Sequence, residues 1–509
     1  MGAAVGDTEF ILLLLLAAAL LLRVADAIAI PHPIVLVLGG LAIGLVPGLP
    51  SLELDPDVVF LVFLPPLLHA AGWIASPREL KAEVRPLALL AIGLVLVTMV
   101  AVAVVAHAIV PGMSWEAAFV LGAIVGPTDP VSATATFSRI GAPARVRLLV
   151  EGEAMINDGT ALVAYRVALL AALEGTFSAG EAALEFLTSA AGGVALGLAI
   201  GWVSIQVIRR QTDVALSIFV TIITAYASYI VGEELHVSGV LAAVASGIFS
   251  GWNAHSAMDA GTRLSGVAFW NVMTFGLEAL LFVLLGLQVP VLAEELDPGS
   301  LAVQALLVSL CVVAVRMAWV MLPGAGVGDS AKERVAVGWA GMRGAISLAA
   351  ALAVPTRVEE RPEILLLTFG VILVTLLGQG LTLPLLLGKL DLPGESRWSP
   401  DEAMARLEAA QAALDRLDEL EEEGAAPEPL RRLRELYRRR FAVCVAVLGA
   451  GDLPEGGRDE LREYGAMRRE LIAVERASLL SLRNQGTVGA GVIRKVERDL
   501  DLDETRIRA

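Results

Sequence analysis

The chain has 509 residues, of which 56% are hydrophobic and 18% are charged, and its mean hydropathy is +0.72. This composition is too apolar for a soluble protein of this length, and the apolar residues come in runs of about 20. The only cysteines, Cys311 and Cys444, lie far apart, which excludes a disulfide framework or a cysteine metal site. The sequence therefore predicts an all-α polytopic membrane protein, with no cofactor and no nucleic-acid partner.

In chain order, the first apolar run follows Asp7 and Glu9 rather than a basic segment, which favours a retained helix over a signal peptide. About 13 transmembrane helices are predicted. Their approximate ranges are 8–30, 33–49, 56–75, 84–110, 115–138, 146–173, 182–208, 213–233, 237–252, 265–289, 300–323, 333–354 and 363–388.

Basic residues in short loops mark the cytoplasmic side of a membrane protein. Here 11 basic residues lie in one set of alternating loops and only Arg357 and Arg361 in the other. The 11 are Arg78, Lys81, Arg85, Arg139, Arg145, Arg147, Arg209, Arg210, Arg263, Lys332 and Arg334. An odd number of spans places the termini on opposite sides. We therefore expect a cell-membrane protein with its N-terminus outside and its C-terminal tail in the cytoplasm.

The charge is concentrated at the C-terminal end of the chain. From Glu395 onward there are 24 acidic and 20 basic residues, so the last 115 residues hold 44 of the 92 charged residues. This predicts a transmembrane domain over 1–392 and a charged tail over 393–509. Apolar residues at helical spacing predict a helical tail. Its basic segment, 431–440, either contacts anionic membrane lipid or forms a solvated helical face.

The seventh span divides the others into two sets of six with opposite topology, which is the arrangement of an inverted repeat. Such repeats build transporter sites from interrupted helices near the bilayer midplane. Breaks occur at corresponding places, "GPTDP" in span 5 and "GMRG" in span 12.

The first break contains Pro127, Thr128, Asp129 and Pro130. Proline removes a backbone donor and opens a helix, and freed backbone groups are tolerated in a membrane where they line a cavity. We expect carbonyls and Thr128 to face an ion, with Asp129 at a half-helix N-terminus. The alternative is a simple proline kink.

Span 6 carries three polar residues near the same depth, Glu153, Asn157 and Asp158. Residues four apart share a helix face, and acids inside a membrane indicate a cation or proton site unless they form a structural polar cluster. Asp158 is the best candidate to alternate between a proton and a cation, because the two compete for one carboxylate.

The remaining intramembrane charges need partners. Arg343, in the second break, is predicted to pair with Glu153, which leaves Asp158 to titrate. Glu278 and Arg316 fall at similar depth and are candidates for a second pair. His69 is interpreted as a packed histidine, with a pH sensor as the alternative.

Four motifs in this order, "GPTDPVSA", "EGEAMINDGTALV", "FWNVMTFGLEALLFVLLGLQ" and "GMRGAISLAAALAVP", resemble the cation:proton antiporter-1 family of sodium/proton exchangers. The tail segment "GVIRKVERDLDLDETRIR" resembles that of the bacterial, NhaP-like branch. The likeness to the family covers about residues 10–390. It implies a 13-helix fold with two crossed, unwound helices, an interface domain and a core domain, an elevator-like movement and a homodimer.

The resemblance also implies cation and proton binding at Asp158, supported by Asn157 and Thr128, and a structural Glu153–Arg343 pair. Two departures concern possible ligands. Ala154 stands where some members have a serine that helps to bind the ion, and Ala70 stands near where many have an acidic residue.

The function expected from the sequence is secondary active exchange of Na⁺, Li⁺ or K⁺ for protons, and it is expected to be electroneutral. A cation channel and a K⁺-preferring exchanger are the alternatives. Paired broken helices argue against a channel, which favours symmetric filter loops. An intramembrane enzyme is disfavoured because no metal motif and no nucleophile–base arrangement lies convincingly in the spans.

Overall fold

The computed structural model describes most of the chain. The ranges are 7–28, 30–46, 56–140, 142–174, 179–293, 298–322, 326–328, 330–355, 357–390, 392 and 400–447, followed by 467, 470–479, 481, 496 and 500. Within these ranges the regular structure is helical and contains no strand. The predicted all-α class is therefore confirmed.

The helices are bounded as follows: α1 Asp7–Ile28, α2 His32–Gly44, α3 Pro56–Ile74, α4 Pro77–Ala82, α5 Val84–Ile109, α6 Trp115–Val125, α7 Val131–Ile140, α8 Ala144–Glu174, α9 Ala179–Ile208, α10 Val214–Glu234, α11 Gly239–Ala257, α12 Ala260–Ala293, α13 Pro298–Met321, α14 Ala331–Trp339, α15 Ala345–Leu352, α16 Arg361–Leu390, α17 Pro400–Glu422 and α18 Pro427–Val447. Helix α5 contains one π-helical turn, Leu89–Leu94.

Seven of the described helices are long and apolar enough to cross a membrane, namely α5, α8, α9, α10, α12, α13 and α16. Helices α2, α3 and α6 are apolar but shorter. Two predicted spans are each divided between two short helices, α6 with α7 and α14 with α15, so neither half reaches spanning length alone. The chain is thus a multi-helix membrane protein, and the count of thirteen spans stays a prediction.

The chain divides into two compact units, residues 1–394 and 395–509. In the second unit, α17 and α18 pack against each other as a helical hairpin. Arg434 of α18 bridges to Asp418 of α17 at 2.8 Å. These surface charges are solvated, so each pair contributes little to stability.

Within the first unit the helices form two bundles. The scaffold bundle contains α2, α3 and α9 to α12, which pack through the α9–α11, α2–α12 and α3–α11 pairs. The core bundle contains α5 to α8 and α13 to α16, which pack through the α5–α6, α6–α8 and α13–α16 pairs. Both interrupted helices belong to the core bundle.

Glycines bring the scaffold helices into backbone contact. A Cβ atom on Gly247 of α11 would overlap the carbonyl oxygen of His69 on α3, and one on Gly251 would overlap that of Trp73. Gly40 of α2 and Gly286 of α12 face each other in the same way. Small residues at such crossings allow the close van der Waals packing that holds membrane helices together.

Replacing Gly247 by alanine should therefore destabilise the protein by about 1–3 kcal/mol, because the obstructing atom belongs to the backbone of α3 and cannot move cheaply. Gly276→Ala in α12 is the matched control, since no atom lies within 4 Å of a Cβ there. Thermal unfolding of the two variants in detergent tests this. Equal midpoints would contradict the close contact between α3 and α11.

Candidate ion-binding site

Both predicted interruptions are present in the core bundle. Helix α6 ends at Val125 and α7 begins at Val131, which leaves Gly126 to Pro130 outside both helices. Helix α14 ends at Trp339 and α15 begins at Ala345. The two irregular segments meet directly, because the backbone N–H of Asp129 donates to the carbonyl oxygen of Met342 at 2.8 Å.

Asp129 lies at the beginning of two half-helices. Its Oδ1 accepts from the backbone N–H of Val131, at the start of α7, at 2.9 Å. Its carboxylate also approaches Gly344, the residue before α15, so closely that a Cβ there would overlap it. Helix N-termini stabilise negative charge, so both half-helices favour an ionised Asp129.

Arg343 lies at the other two helix ends of the breaks, the C-terminal ends of α6 and α14. Its guanidinium donates to the carbonyl oxygens of Val125 at 2.8 Å, of Gly126 at 3.3 Å and of Gly341. These carbonyls follow the last turns of α6 and α14, where backbone acceptors have no helical partner. A cation at helix C-termini is electrostatically favourable, and Arg343 thereby satisfies the open carbonyls.

Glu153 binds Arg316, which is on α13. The contact is bidentate, with the second hydrogen bond, from the Arg316 Nη2 to Oε2, at 2.8 Å, and each side chain is only 1% exposed. Arg316 also donates to the carbonyl oxygens of Val337 at 3.0 Å and Gly338 at 3.1 Å, near the end of α14. One ion pair therefore fastens α8, α13 and α14 together.

Thr128 and Asn157 connect the first break to this ion pair. The Thr128 hydroxyl donates to Glu153 Oε1 at 3.3 Å and accepts from the Asn157 side-chain amide at 2.9 Å. Both side chains are buried. The chain of hydrogen bonds fixes the hydroxyl of Thr128, whose oxygen keeps one lone pair for a further partner.

A cavity of about 510 Å³ opens beside the break. Thr128, Asp129 and Asp158 line it from the core bundle, together with Ser347 of α15. Asp158 is 7% exposed and has no hydrogen bond or ion pair to any residue that the structure describes. An unpartnered carboxylate buried at membrane depth is costly, so a bound cation or proton is the physical means of stabilising it.

The cavity continues from Asp158 to the ends of α3 and α4. Ser76 and Glu79 lie there, with Glu151 of α8 on the other side. This is the side at which the basic loops predict the cytoplasm. The cavity is therefore a passage that reaches Asp158 from one face of the first unit.

The arrangement agrees with the comparisons to known proteins. Residues 11–389 match the family described as sodium/hydrogen exchanger, transmembrane. The chain belongs to the sodium/hydrogen exchanger family. The chain is of the NhaP-like type. The family consists of cation/proton antiporters and is not a family of catalytic enzymes.

Several relatives of this exchanger resemble it along most of its length. An uncharacterised Na⁺/H⁺ exchanger of Mycobacterium tuberculosis is 34% identical, over 93% of this chain and 91% of that protein. The Na⁺/H⁺ antiporter ApNhaP of Aphanothece halophytica is 32% identical, over 89% and 86%. The solved sodium proton antiporter MjNhaP1 of Methanocaldococcus jannaschii has a TM-score of 0.62, is 22% identical and covers 76% of this chain and 99% of its own, a likeness of fold.

Two predicted ion pairs are wrong in this exchanger. Glu153 pairs with Arg316 and not with Arg343, because Arg343 is engaged by the carbonyl groups that the two breaks expose. The predicted Glu278–Arg316 pair is also wrong, because the Arg316 guanidinium donates to Glu153 and to carbonyl oxygens near the end of α14.

The other predicted residues divide between the cavity and its surroundings. Thr128, Asp129 and Asp158 line the cavity, whereas Asn157 lies behind it and holds Thr128. His69 is fully buried in the scaffold bundle, where its Nδ1 lies 3.0 Å from the Ser246 hydroxyl, so the structure places it as a packed histidine.

Sequence reasoning missed Ser347 and Gly344 as parts of the cavity. Both follow "GMR" in the second break, and the small, polar turn at the start of α15 was the available signal. Ala154 also lines the cavity, so the absence of a hydroxyl there removes a possible ligand from the wall itself.

The Glu153–Arg316 pair makes a stability prediction. Glu153→Gln or Arg316→Gln alone should cost about 3–5 kcal/mol, because each leaves the other charge buried and unpaired. The double variant should lose less than the sum of the two. Thermal unfolding midpoints of the three variants provide the double-mutant cycle.

The control cycle is the pair Glu83–Arg145, whose side chains are 18% and 33% exposed and whose Oε1 and Nε atoms lie 2.7 Å apart. Loss of that pair should cost less than about 1 kcal/mol, because solvent screens it. If the change in unfolding midpoint of the double variant equals the sum of the changes in Glu153→Gln and Arg316→Gln, the two residues do not stabilise the protein as a pair.

Proposed function

We propose that the chain is a secondary active antiporter that exchanges Na⁺, and also Li⁺ or K⁺, for H⁺, with Asp158 as the group for which cation and proton compete. The observation that carries the proposal is the state of Asp158, a buried carboxylate that faces a cavity and has no hydrogen bond or ion pair to any described residue. Carboxylate and hydroxyl oxygens suit hard monovalent cations. Thr128 and Asp129 supply further oxygen atoms on the same wall.

The proposed exchange is electroneutral. Glu153 forms a buried ion pair with Arg316, and Asn157 has no proton to release. Asp129 stays ionised because the N-termini of α7 and α15 stabilise its charge. Asp158 is then the one core-bundle carboxylate at the site that alternates between a proton and a monovalent cation, so each half-cycle moves no net charge.

Alternating access follows from movement of the core bundle against the scaffold bundle, as the family resemblance implies. Asp158 and both breaks belong to the core bundle, and the cavity gives Asp158 access to one side. The proposal includes thirteen spans in inverted repeats, an N-terminus outside the cell membrane, a cytoplasmic tail that contacts membrane lipid, and a homodimer.

A K⁺-preferring exchanger is the second candidate. A relative from Bacillus pumilus, 33% identical over 71% of this chain and 58% of that protein, is named a sodium, potassium, lithium and rubidium/H⁺ antiporter. In this chain Ala154 lines the cavity at the position where some family members have a serine. One oxygen ligand fewer than in those members is therefore available to discriminate between cations by size. Rates measured with Na⁺, Li⁺ and K⁺ distinguish the two candidates.

Asp158→Asn should abolish cation-dependent proton flux in proteoliposomes, because an amide neither binds a proton at neutral pH nor neutralises a cation. The measurement is the decay of an imposed pH gradient after addition of Na⁺, Li⁺ or K⁺. The matched control is Asp213→Asn, because Asp213 is an exposed N-cap of α10 and asparagine caps equally well.

Asp213→Asn should transport as the unaltered protein does. Unfolding midpoints and elution profiles in detergent establish that both variants are folded. Undiminished, saturable flux through folded Asp158→Asn would remove Asp158 from the mechanism.

A further inference from the structure

A second carboxylate faces the ion cavity from the opposite wall. Glu278 belongs to α12 of the scaffold bundle and lines the cavity together with Phe282, across from Asp158 and Asp129 of the core bundle. Its side chain is half-buried, and no hydrogen bond or ion pair joins it to any residue within the described ranges. Asp129 lines the same cavity, so two acidic side chains face one space.

A structural role does not explain this side chain. The arginine at similar depth, Arg316, is bound to Glu153, and Arg343 is bound to backbone carbonyls. A carboxylate at this depth without a counter-charge is costly, and a hydrophobic residue would pack against Phe282 at no such cost. The cavity is the only surrounding from which Glu278 can gain a compensating charge among the described residues.

The lining of the cavity is acidic. Asp129, Asp158 and Glu278 face its interior, while Glu79 and Glu151 lie at its mouth. Arg316 and Arg343, the two buried arginines within the described ranges, are not part of its lining. A cleft lined by one sign of charge between low-dielectric walls concentrates ions of the opposite sign.

We propose that Glu278 is a second cation-binding carboxylate of this cavity, which holds the cation that enters from the mouth together with Asp158. The inference rests on the proposed function. The two carboxylates belong to different bundles, so movement of the core bundle carries Asp158 and its cation away from Glu278. Glu278 therefore contributes to cation binding from the side on which the cavity opens, the cytoplasmic side. Because Glu278 stays with the scaffold bundle, it does not change the net charge that moves in either half-cycle.

The test is the sidedness of Na⁺ binding in Glu278→Gln. Everted membrane vesicles expose the cytoplasmic face to added Na⁺, and right-side-out vesicles expose the other face. The KM for Na⁺ should rise about tenfold in everted vesicles and change less than about twofold in right-side-out vesicles, because only the first state has both carboxylates around the cation. The maximal rate should be retained.

Two further variants complete the test. Glu278→Asp keeps the charge on a shorter side chain and should restore part of the affinity from the cytoplasmic face. Glu185→Gln removes an exposed carboxylate in α9, away from the cavity, and should leave KM unchanged on both sides. Expression and unfolding midpoints establish that each variant is folded.

An unchanged KM in everted vesicles would overturn the proposal, as would an equal rise on both faces. Loss of transport at every Na⁺ concentration in folded Glu278→Gln would also overturn a role in cation binding from one side. Absence of cation-dependent proton flux in the unaltered protein would instead refute the proposed function as a whole.

Discussion

The site depends on one constraint, that two helices can be interrupted inside a membrane only if their four open ends are satisfied. The protein meets it mainly with two side chains of opposite charge, while Arg316 donates two further hydrogen bonds to carbonyl oxygens near the end of α14. Arg343 donates to the carbonyls that follow α6 and α14, and Asp129 accepts at the beginning of α7 and lies against the residue before α15. Each charge sits at the helix ends whose dipoles stabilise it.

This arrangement separates structural charges from the exchangeable one. Arg343 and Asp129 are committed to helix ends, and Arg316 and Glu153 are committed to each other. Asp158 is left in the cavity with no hydrogen bond or ion pair to the part of the chain that the structure describes. The same core bundle therefore combines a crossing held by charged hydrogen bonds with one carboxylate that a transported ion can stabilise.

The sequence was sufficient for the features that depend on position along the chain. Proline and glycine locate both breaks, and the four-residue spacing of Glu153 and Asn157 places both beside Thr128. The two ion-pair predictions were wrong because the depth of a residue in the membrane does not give the rotation of its helix about the helix axis. Arg316 and Arg343 lie at comparable depth, and only the folded chain shows that the exposed carbonyls engage Arg343. The role of Glu278 was hidden for the same reason.

The central claim is that Asp158 carries either one proton or one monovalent cation, so that exchange is electroneutral. The most direct measurement is the initial rate of Na⁺-driven proton flux in liposomes at membrane voltages set by K⁺ and valinomycin. The account predicts a rate independent of voltage, although each net charge moved would be worth about 2.3 kcal/mol per 100 mV. A rate that depends steeply on voltage, with a sustained current that reverses at the potential for two protons per cation, would contradict it.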